Sequence, residues 1–122
     1  MSGNGRKILI FEDNRNISLL LRTFFERRNY IVRLSEDGVD AVPLAKEFLP
    51  HLILMDIIMP GKSGLEAVVD LRREGVTVPI VILTSKSYDD DRKRALEAGA
   101  NAYVLKPFDP KNLEQIITPL LS

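Results

Sequence analysis

Short apolar runs alternate along this chain with stretches of helical periodicity, and this alternation restricts the possible folds more than any other feature. The runs at 8–11, 52–55 and 80–83 consist only of apolar residues, as expected of strands that are buried on both faces of a sheet. Two more mixed segments, 30–34 and 102–105, are expected to form the edge strands. Because strands that alternate with helices build βαβ units, the pattern predicts a parallel sheet covered by helices on both sides.

The order of the elements predicts five strands and five helices in strict alternation. Crossovers between parallel strands are right-handed, which leaves few topologies for such a chain. We therefore predict an α/β fold of the flavodoxin-like (βα)5 type, a doubly wound parallel sheet with strand order 2-1-3-4-5.

Local signals predict the ends and the buried faces of the helices. The first helix should carry an apolar stripe towards the sheet, formed by Ile17, Leu20, Leu21 and Phe24. The second helix should be kinked or should start late, because Pro43 lies inside its expected span. The expected caps of the other helix ends are Asp13 or Asn14, Ser63 with Glu66, Gly75, Ser87 with Asp90, and Asp109 before Pro110.

Size and composition exclude several classes of protein. The 122 residues suit one domain, and 17 basic residues balance 17 acidic ones, so we expect no direct binding of nucleic acid by this domain. The chain has no cysteine and no apolar run of about 18 residues, so we expect no disulfide, no membrane span and a cytoplasmic location. Residues 1–5 should be a flexible lead-in, and 6–122 should form the domain.

Residues suited to one reaction follow the predicted strands. The strand ends lead into Glu12 and Asp13, into Asp56, into Thr84 and into Lys106. Because the carboxyl ends of parallel strands line one crevice, these side chains should meet although they are far apart in sequence. Three carboxylates, one hydroxyl and one ammonium can hold a divalent metal and accept a phosphoryl group on an aspartate.

The acids are expected to bind a hard cation. Glu12 and Asp13 should lie beside Asp56 on neighbouring strands, where three carboxylates would repel one another. Oxygen ligands suit Mg²⁺ or Mn²⁺, which would remove that repulsion. The alternative is a set of separate loop acids, with Asp13 merely capping the first helix.

Asp56 is the expected nucleophile, since an attack of its carboxylate on phosphorus gives an acyl phosphate. Lys106 would compensate the phosphoryl charge as a compact cation. A cis peptide before Pro107 would help to turn Lys106 inward. The Thr84 hydroxyl could donate to the phosphoryl group, or it could only bond locally at the strand end. Tyr103 on the last strand could equally be half-buried packing.

Four segments together resemble the receiver domain of two-component response regulators, a CheY-like fold. They are ILIFEDN, LILMDIIMPGKSG, VPIVILTSK and ANAYVLKPF, which span nearly the whole chain in the family's order. The resemblance implies a signalling receiver rather than an enzyme with a separate substrate. Such a domain promotes only its own phosphorylation and dephosphorylation.

The resemblance also implies a role for each residue. Asp56 would be the phosphoacceptor, Lys106 would bind the phosphoryl group, and Thr84 with Tyr103 would be the switch pair. The metal ligands would be Glu12, Asp13, Asp56 and the backbone carbonyl of Ile58. As a separate hypothesis, Ile58 and Lys86 each lie two residues beyond a site residue, so they should border the path of the attacking water and tune the lifetime of the phosphoryl group.

The implied partners follow from the same resemblance. A histidine kinase or a histidine phosphotransfer protein would donate the phosphoryl group, and small donors such as acetyl phosphate also serve the family. The surface of the fourth helix, fifth strand and fifth helix would control an unknown output partner or domain, and a dimer through that surface is also compatible. His51 replaces a family Asp before the third strand and is interpreted as a surface residue.

Other uses of an aspartate or of this architecture fit less well. A phosphatase of the haloacid dehalogenase type has a second acid where this chain has Ile58. A flavodoxin-like FMN carrier needs neutral donors where this chain has Glu12 and Asp13, and a Rossmann site needs a glycine fingerprint that is missing. A degenerate receiver that acts only by binding is the main alternative, although it usually lacks the acids or the lysine.

Overall fold

The computed structural model describes residues 3–59, 61–85 and 89–121. Its strands are β1 (Lys7–Phe11), β2 (Ile31–Ser35), β3 (Leu52–Asp56), β4 (Ile80–Thr84) and β5 (Ala102–Leu105). Its α-helices are α1 (Arg15–Glu26), α2 (Ala41–Phe48), α3 (Gly64–Arg73), α4 (Asp89–Ala98) and α5 (Pro110–Leu121). All strand pairs are parallel, in the order β2-β1-β3-β4-β5, which confirms the predicted doubly wound topology.

The sheet has a separate apolar layer on each face, because successive strand side chains point to opposite sides. One layer packs beneath α2, α3 and α4 and includes the buried strand residues Leu9, Phe11, Ile53, Met55, Ile80 and Ile82. The other packs beneath α1 and α5 and includes Ile8, Ile10, Leu52, Leu54, Val81 and Leu83. Every residue of β3 and β4 is buried, whereas the two edge strands are partly exposed.

The predicted stripe of α1 is found in part. Leu21 is buried and Ile17 and Phe24 pack partly buried against the same apolar layer, whereas Leu20 is 52% exposed. Ser18 and Phe25 are also buried, and Phe25 lies against Tyr30 with ring centroids 5.3 Å apart in an edge-to-face arrangement. Leu20 stays on the outside, near the carboxyl ends of the strands.

The second helix starts late, as Pro43 predicted. A short 3₁₀ helix, Gly38–Asp40, comes first, and α2 then begins at Ala41. Pro43 therefore lies in the first turn of α2, where a missing N–H costs no intrahelical hydrogen bond. Pro119 lies inside α5, which continues to Leu121.

The predicted caps within the described residues are found. Asn14 Oδ1 accepts a hydrogen bond from Ile17 N, Ser63 Oγ accepts one from Glu66 N, and Gly75 follows α3 with a positive φ of 85°. Asp109 Oδ1 accepts a hydrogen bond from Lys111 N at the start of α5. The predicted cap formed by Ser87 and Asp90 lies outside the described residues, because Ser87 is not among them.

Arg72 ties the amino ends of β4 and β5 together. Its guanidinium donates five hydrogen bonds, which reach the carbonyl oxygens of Val76, Val78 and Gly99 and the side-chain oxygen of Asn101. The same Asn101 oxygen accepts a hydrogen bond from Ile80 N, the first residue of β4. We call Arg72, Gly99 and Asn101 the guanidinium clamp. The clamp fixes the starts of two strands whose far ends lead to Thr84 and Lys106.

The amino-terminal side of the sheet carries two further contacts. Lys7 N donates to His51 Nδ1 at 2.9 Å, and His51 N donates to the carbonyl of Lys7 at 2.8 Å, so the exposed His51 joins the starts of β1 and β3. Gly3 N and Gly5 N donate to the carbonyls of Arg28 and Asn29.

Among the helices in the described ranges, none combines the length and the apolar character that crossing a bilayer requires.

Candidate functional site

The sheet register brings the carboxyl ends of β1 and β3 to the same edge. Phe11 pairs with Met55, so Glu12 and Asp56 are the next residues on two adjacent strands. The loop after β3 is closed at its base, because Gly64 N donates to the carbonyl of Ile57 at 2.7 Å. A Cβ at Gly64 would collide with the carbonyl oxygen of Asp56, so glycine is needed where α3 begins.

Three carboxylates form a cluster at this edge. Glu12, Asp13 and Asp56 each offer an oxygen, and these oxygens lie within 4.8 Å of one another. Glu12 and Asp56 are buried, and Asp13 is exposed to solvent. An all-oxygen set that is open on one side fits a hard divalent cation that keeps some of its waters, such as Mg²⁺. The donor chemistry therefore suits the predicted ion.

Ile58 contacts the cluster through its backbone, since Ile58 N donates to Asp56 Oδ1 at 3.3 Å. That the Ile58 carbonyl is a metal ligand stays a prediction.

Lys106 forms ion pairs with two of the three carboxylates. Its Nζ lies 2.6 Å from Glu12 Oε1 and 3.1 Å from Asp56 Oδ2, and its side chain is 15% exposed. The peptide bond between Lys106 and Pro107 is cis, as the sequence suggested. Burial alone would lower the pKa of Lys106, but its hydrogen bonds and charge attraction to Glu12 and Asp56 outweigh burial and raise the pKa. Lys106 is therefore a cation at neutral pH.

Glu12 is the most enclosed acid of the cluster. Its side chain has no exposed surface, and its Oε2 accepts a hydrogen bond from Asn14 N at 3.1 Å. Burial raises the pKa of Glu12 and the negative charge of Asp56 adds to this, whereas Lys106 and the Asn14 N–H lower the pKa. The net direction is upward, which indicates a carboxylate that needs nearby positive charge.

Thr84 and Tyr103 lie on the two strands next to this cluster. Thr84 is fully buried at the end of β4, next to Leu83, which pairs with Asp56. The carbonyl of Thr84 accepts a hydrogen bond from Lys106 N at 2.7 Å. Tyr103 is half-buried on β5, and its pKa is raised by burial and by the charge of Asp91. The structure therefore gathers Glu12, Asp13, Asp56, Thr84 and Lys106 at one edge, with Tyr103 on the adjoining strand.

One predicted site residue lies outside the described residues, and two observed contacts were not predicted. Lys86 belongs to the undescribed positions, so its proposed influence on phosphoryl lifetime stays a prediction. Sequence patterns gave no sign of the contact between Glu12 and Asn14 N or of the guanidinium clamp. A basic residue in the last turn of a helix is common, and nothing local distinguishes Arg72 from Arg73.

Comparison with known proteins points to one family. The family model for the response regulator receiver domain matches residues 8–118. The chain is 37% identical to the transcriptional regulatory protein ResD of Bacillus subtilis over 97% of this chain, but it spans only 49% of ResD. It is 32% identical to the chemotaxis protein CheY of Halobacterium salinarum, covering 96% of this chain and 98% of that protein. The BeF3-activated receiver domain of RstA from Klebsiella pneumoniae superimposes with a TM-score of 0.89 at 32% identity, covering 95% and 98% of the two chains.

Proposed function

Because this chain belongs to the receiver domains of response regulators, we propose that it accepts a phosphoryl group on Asp56 in a two-component phosphorelay. One observation carries this proposal: Asp56 shares an acidic cluster with Glu12 and Asp13 and has Lys106 Nζ at 3.1 Å. The proposed donor is a phosphohistidine on a histidine kinase or a histidine phosphotransfer protein. The cytoplasmic location and the use of Mg²⁺ or Mn²⁺ are part of the same proposal.

In the proposed reaction, a carboxylate oxygen of Asp56 attacks phosphorus. The new P–O bond forms as the P–N bond to the donor imidazole breaks, and the imidazole nitrogen keeps the electron pair of that bond. Lys106 balances charge on the phosphoryl oxygens, as transfer of this kind depends on positioning and charge compensation. A divalent cation held by Glu12, Asp13 and Asp56 would supply further charge compensation at the phosphoryl oxygens.

An apolar groove beside the cluster supports docking of a protein donor. It has a volume of about 250 Å³ and is lined by Ile17 and Leu20 of α1 and by Lys106, Pro107 and Phe108. Leu20 is exposed, although it was predicted to belong to the buried stripe of α1. A donor that packs an apolar side chain into this groove would bring its phosphohistidine close to Lys106.

The proposed output is a change of the α4-β5-α5 surface. Thr84 links the site to this surface, since its carbonyl bonds Lys106 N and its strand adjoins β5. The surface offers the exposed apolar residues Leu96, Leu105 and Ile116 to a partner, an output domain or a second copy. A charge-assisted hydrogen bond from the Thr84 hydroxyl to the phosphoryl group, at about 1.5–3 kcal/mol, would shift a two-state equilibrium tenfold or more.

The direct test is incubation with acetyl phosphate and Mg²⁺, followed by intact mass measurement. Wild type should gain one phosphoryl group only when metal is present, and Asp56→Asn should gain none. Asp40→Asn is a matched control, because Asp40 is an exposed aspartate at the start of α2, and it should react like wild type. No gain by wild type would favour the degenerate receiver that acts only by binding.

The switch is tested separately with Thr84→Ala. This variant should still be phosphorylated, but the phosphorylated form should bind the output partner more weakly than phosphorylated wild type does. Equal affinity of the two phosphorylated forms would refute the role of Thr84 while leaving the phosphoacceptor role of Asp56 intact.

A further inference from the structure

The turn that precedes α2 packs against the loop that follows β3. This turn consists of Asp37 and the 3₁₀ helix Gly38–Asp40, and we call it the support turn. A Cβ at Gly38 would collide with the carbonyl oxygen of Lys62 and would lie 3.3 Å from Met59 Cε. The two backbones therefore approach more closely than a residue with a side chain at position 38 would allow.

A second contact joins the same two segments. Gly61 has a positive φ of 78°, and a Cβ there would lie 2.5 Å from Asp37 Oδ1 and 2.8 Å from Val39 Cγ2. Asp37 Oδ1 also accepts a hydrogen bond from Val39 N at 2.8 Å, which keeps the carboxylate beside Gly61. The support turn and the loop thus interlock at two glycines, one on each segment.

The support turn is tied to the sheet. Asp37 N donates at 3.3 Å to the hydroxyl oxygen of Ser35, the last residue of β2. The carbonyl of Ser35 accepts a hydrogen bond from Glu12 N at 2.9 Å. The loop after β3 therefore packs against a turn that is fixed relative to the carboxyl ends of β1 and β2, and close-packed contacts of this kind transmit displacements.

The same loop leads directly from the proposed nucleophile. Asp56 Oδ1 accepts a hydrogen bond from Ile58 N at 3.3 Å, and this contact restricts the orientation of the carboxylate. The Ile58 side chain is 54% exposed, so it provides little packing to hold its own N–H in place. The next residue, Met59, is buried, and the end of its side chain lies beside Gly38. The support turn therefore contacts the chain one residue beyond the N–H that touches Asp56.

We propose that Gly38 and Asp37 are positioning residues that hold the loop after β3. In this arrangement the Ile58 N–H stays on Asp56 Oδ1, and the Asp56 carboxylate keeps one orientation for attack on phosphorus. The inference rests on the proposed function, since it concerns the same nucleophile. Orientation matters for such a step, because a displacement of about 1 Å can slow a reaction about 100-fold.

Gly38→Ala tests whether the position of the loop matters. The φ of Gly38 is not positive, so alanine suits the backbone and the added strain comes from the Lys62 carbonyl. One of the two segments must then move, and a shift of roughly half an ångström should slow phosphorylation of Asp56 by acetyl phosphate about tenfold. The half-saturating concentration of acetyl phosphate should stay unchanged, because binding of the donor is not altered. Intact mass over time gives the rates, at saturating Mg²⁺.

Gly75→Ala is the matched control. Gly75 has a positive φ of 85°, and a Cβ there would meet no atom of the described residues within 4 Å. Alanine at this position therefore strains the backbone between α3 and β4 without touching the loop after β3. Both variants are assayed where circular dichroism shows them to be folded, and Gly75→Ala should react at the wild-type rate. Equal rate constants for Gly38→Ala and Gly75→Ala would overturn the proposal.

A clash can displace a loop that no contact needs to hold, so a second variant removes a contact instead. Asp37→Ala deletes the carboxylate that lies beside Gly61 and bonds Val39 N. It should also slow phosphorylation, by less than Gly38→Ala does. Asp40→Ala controls for loss of an acid from the same turn, because the Asp40 side chain makes no capping hydrogen bond at the described start of α2. If Asp37→Ala reacts as fast as Asp40→Ala, the support turn does not hold the loop and the proposal is wrong.

The amide signal of Ile58 tests the positioning without any phosphoryl donor or metal. Gly38→Ala should shift the Ile58 N–H signal, whereas the N–H of Val76, which donates to the carbonyl of Leu71, should give an unchanged signal. An unmoved Ile58 signal would overturn the inference, while phosphorylation of wild type on Asp56 would leave the proposed function standing. If wild type gains no phosphoryl group on Asp56, the proposed function fails and this inference fails with it.

Discussion

Replacing Arg72 with methionine should destabilise the fold by about 3 kcal/mol. Methionine keeps an apolar stem but removes five hydrogen bonds to four acceptors, on Val76, Val78, Gly99 and Asn101. Each acceptor loses a net contribution of about 0.5–1 kcal/mol, because water can partly replace the guanidinium. The sum is about 2–4 kcal/mol, which is a large part of the roughly 5–15 kcal/mol that stabilises an ordinary domain.

Urea denaturation measures this loss. With a slope of about 2 kcal/mol per M, typical of a domain of this size, a loss of 3 kcal/mol lowers the midpoint by about 1.5 M. Arg73→Met is the matched control, because Arg73 is the next residue and is exposed. Midpoints of the two variants within about 0.3 M of each other would refute the role assigned to the guanidinium clamp.

The clamp and the site should also be separable by function. The clamp lies at the amino ends of β4 and β5, whereas Thr84 is the last residue of β4 and Lys106 follows β5. We therefore expect Arg72→Met, under conditions where it is folded, to gain a phosphoryl group from acetyl phosphate as wild type does.

Three other predictions concern lifetime, pH and capping. Ile58 is 54% exposed beside Asp56, and its side chain cannot orient a water. Ile58→Asn should therefore speed loss of the phosphoryl group roughly tenfold, equivalent to one hydrogen bond in the transition state. Intact mass measures the rate, and an equal or slower loss would contradict the prediction. Burial, with a smaller effect of Glu114, raises the pKa of Tyr30, so the stability that neutral Tyr30 provides is complete below pH ~10 and is lost as pH rises through the folded pKa. The free energy of unfolding should therefore fall more between pH ~9 and pH ~11 in wild type than in Tyr30→Phe. An equal fall in the two proteins would contradict this prediction. Asn14→Ala should lose about 1 kcal/mol of stability, because it removes the cap of α1. Asn16→Ala is the control and should lose little. Equal urea midpoints of the two variants would mean that the cap contributes nothing.

The sequence was sufficient for the sheet and for the meeting of the three acids at its edge. The runs that end at Phe11, Met55 and Leu83 are buried on both faces, and this burial requires apolar residues at every position. Their ends could be located to within a residue, so the meeting of Glu12 and Asp56 followed from the topology. The prediction succeeded because each strand carries its own signal.

What the sequence missed depends on contacts between distant segments. Ile17, Leu21 and Phe24 of the stripe predicted for α1 pack in or against the core, but Leu20 is exposed. The burial of Phe25 was not predicted, because its partner Tyr30 lies outside the helix. His51 is exposed, as predicted, but its bonds to Lys7 become visible only when β1 lies beside β3.

The parallel register has a consequence for how this domain can tolerate change in length. Asp56 lies opposite Leu83, and Thr84 lies opposite Leu105. Insertion of one residue into β4 would turn every later side chain of that strand to the other face. Thr84 would then face the opposite helical layer, although no reactive group had been replaced. Insertions and deletions should therefore be harmful within the strands and better accepted in loops at the amino-terminal edge, far from Asp56.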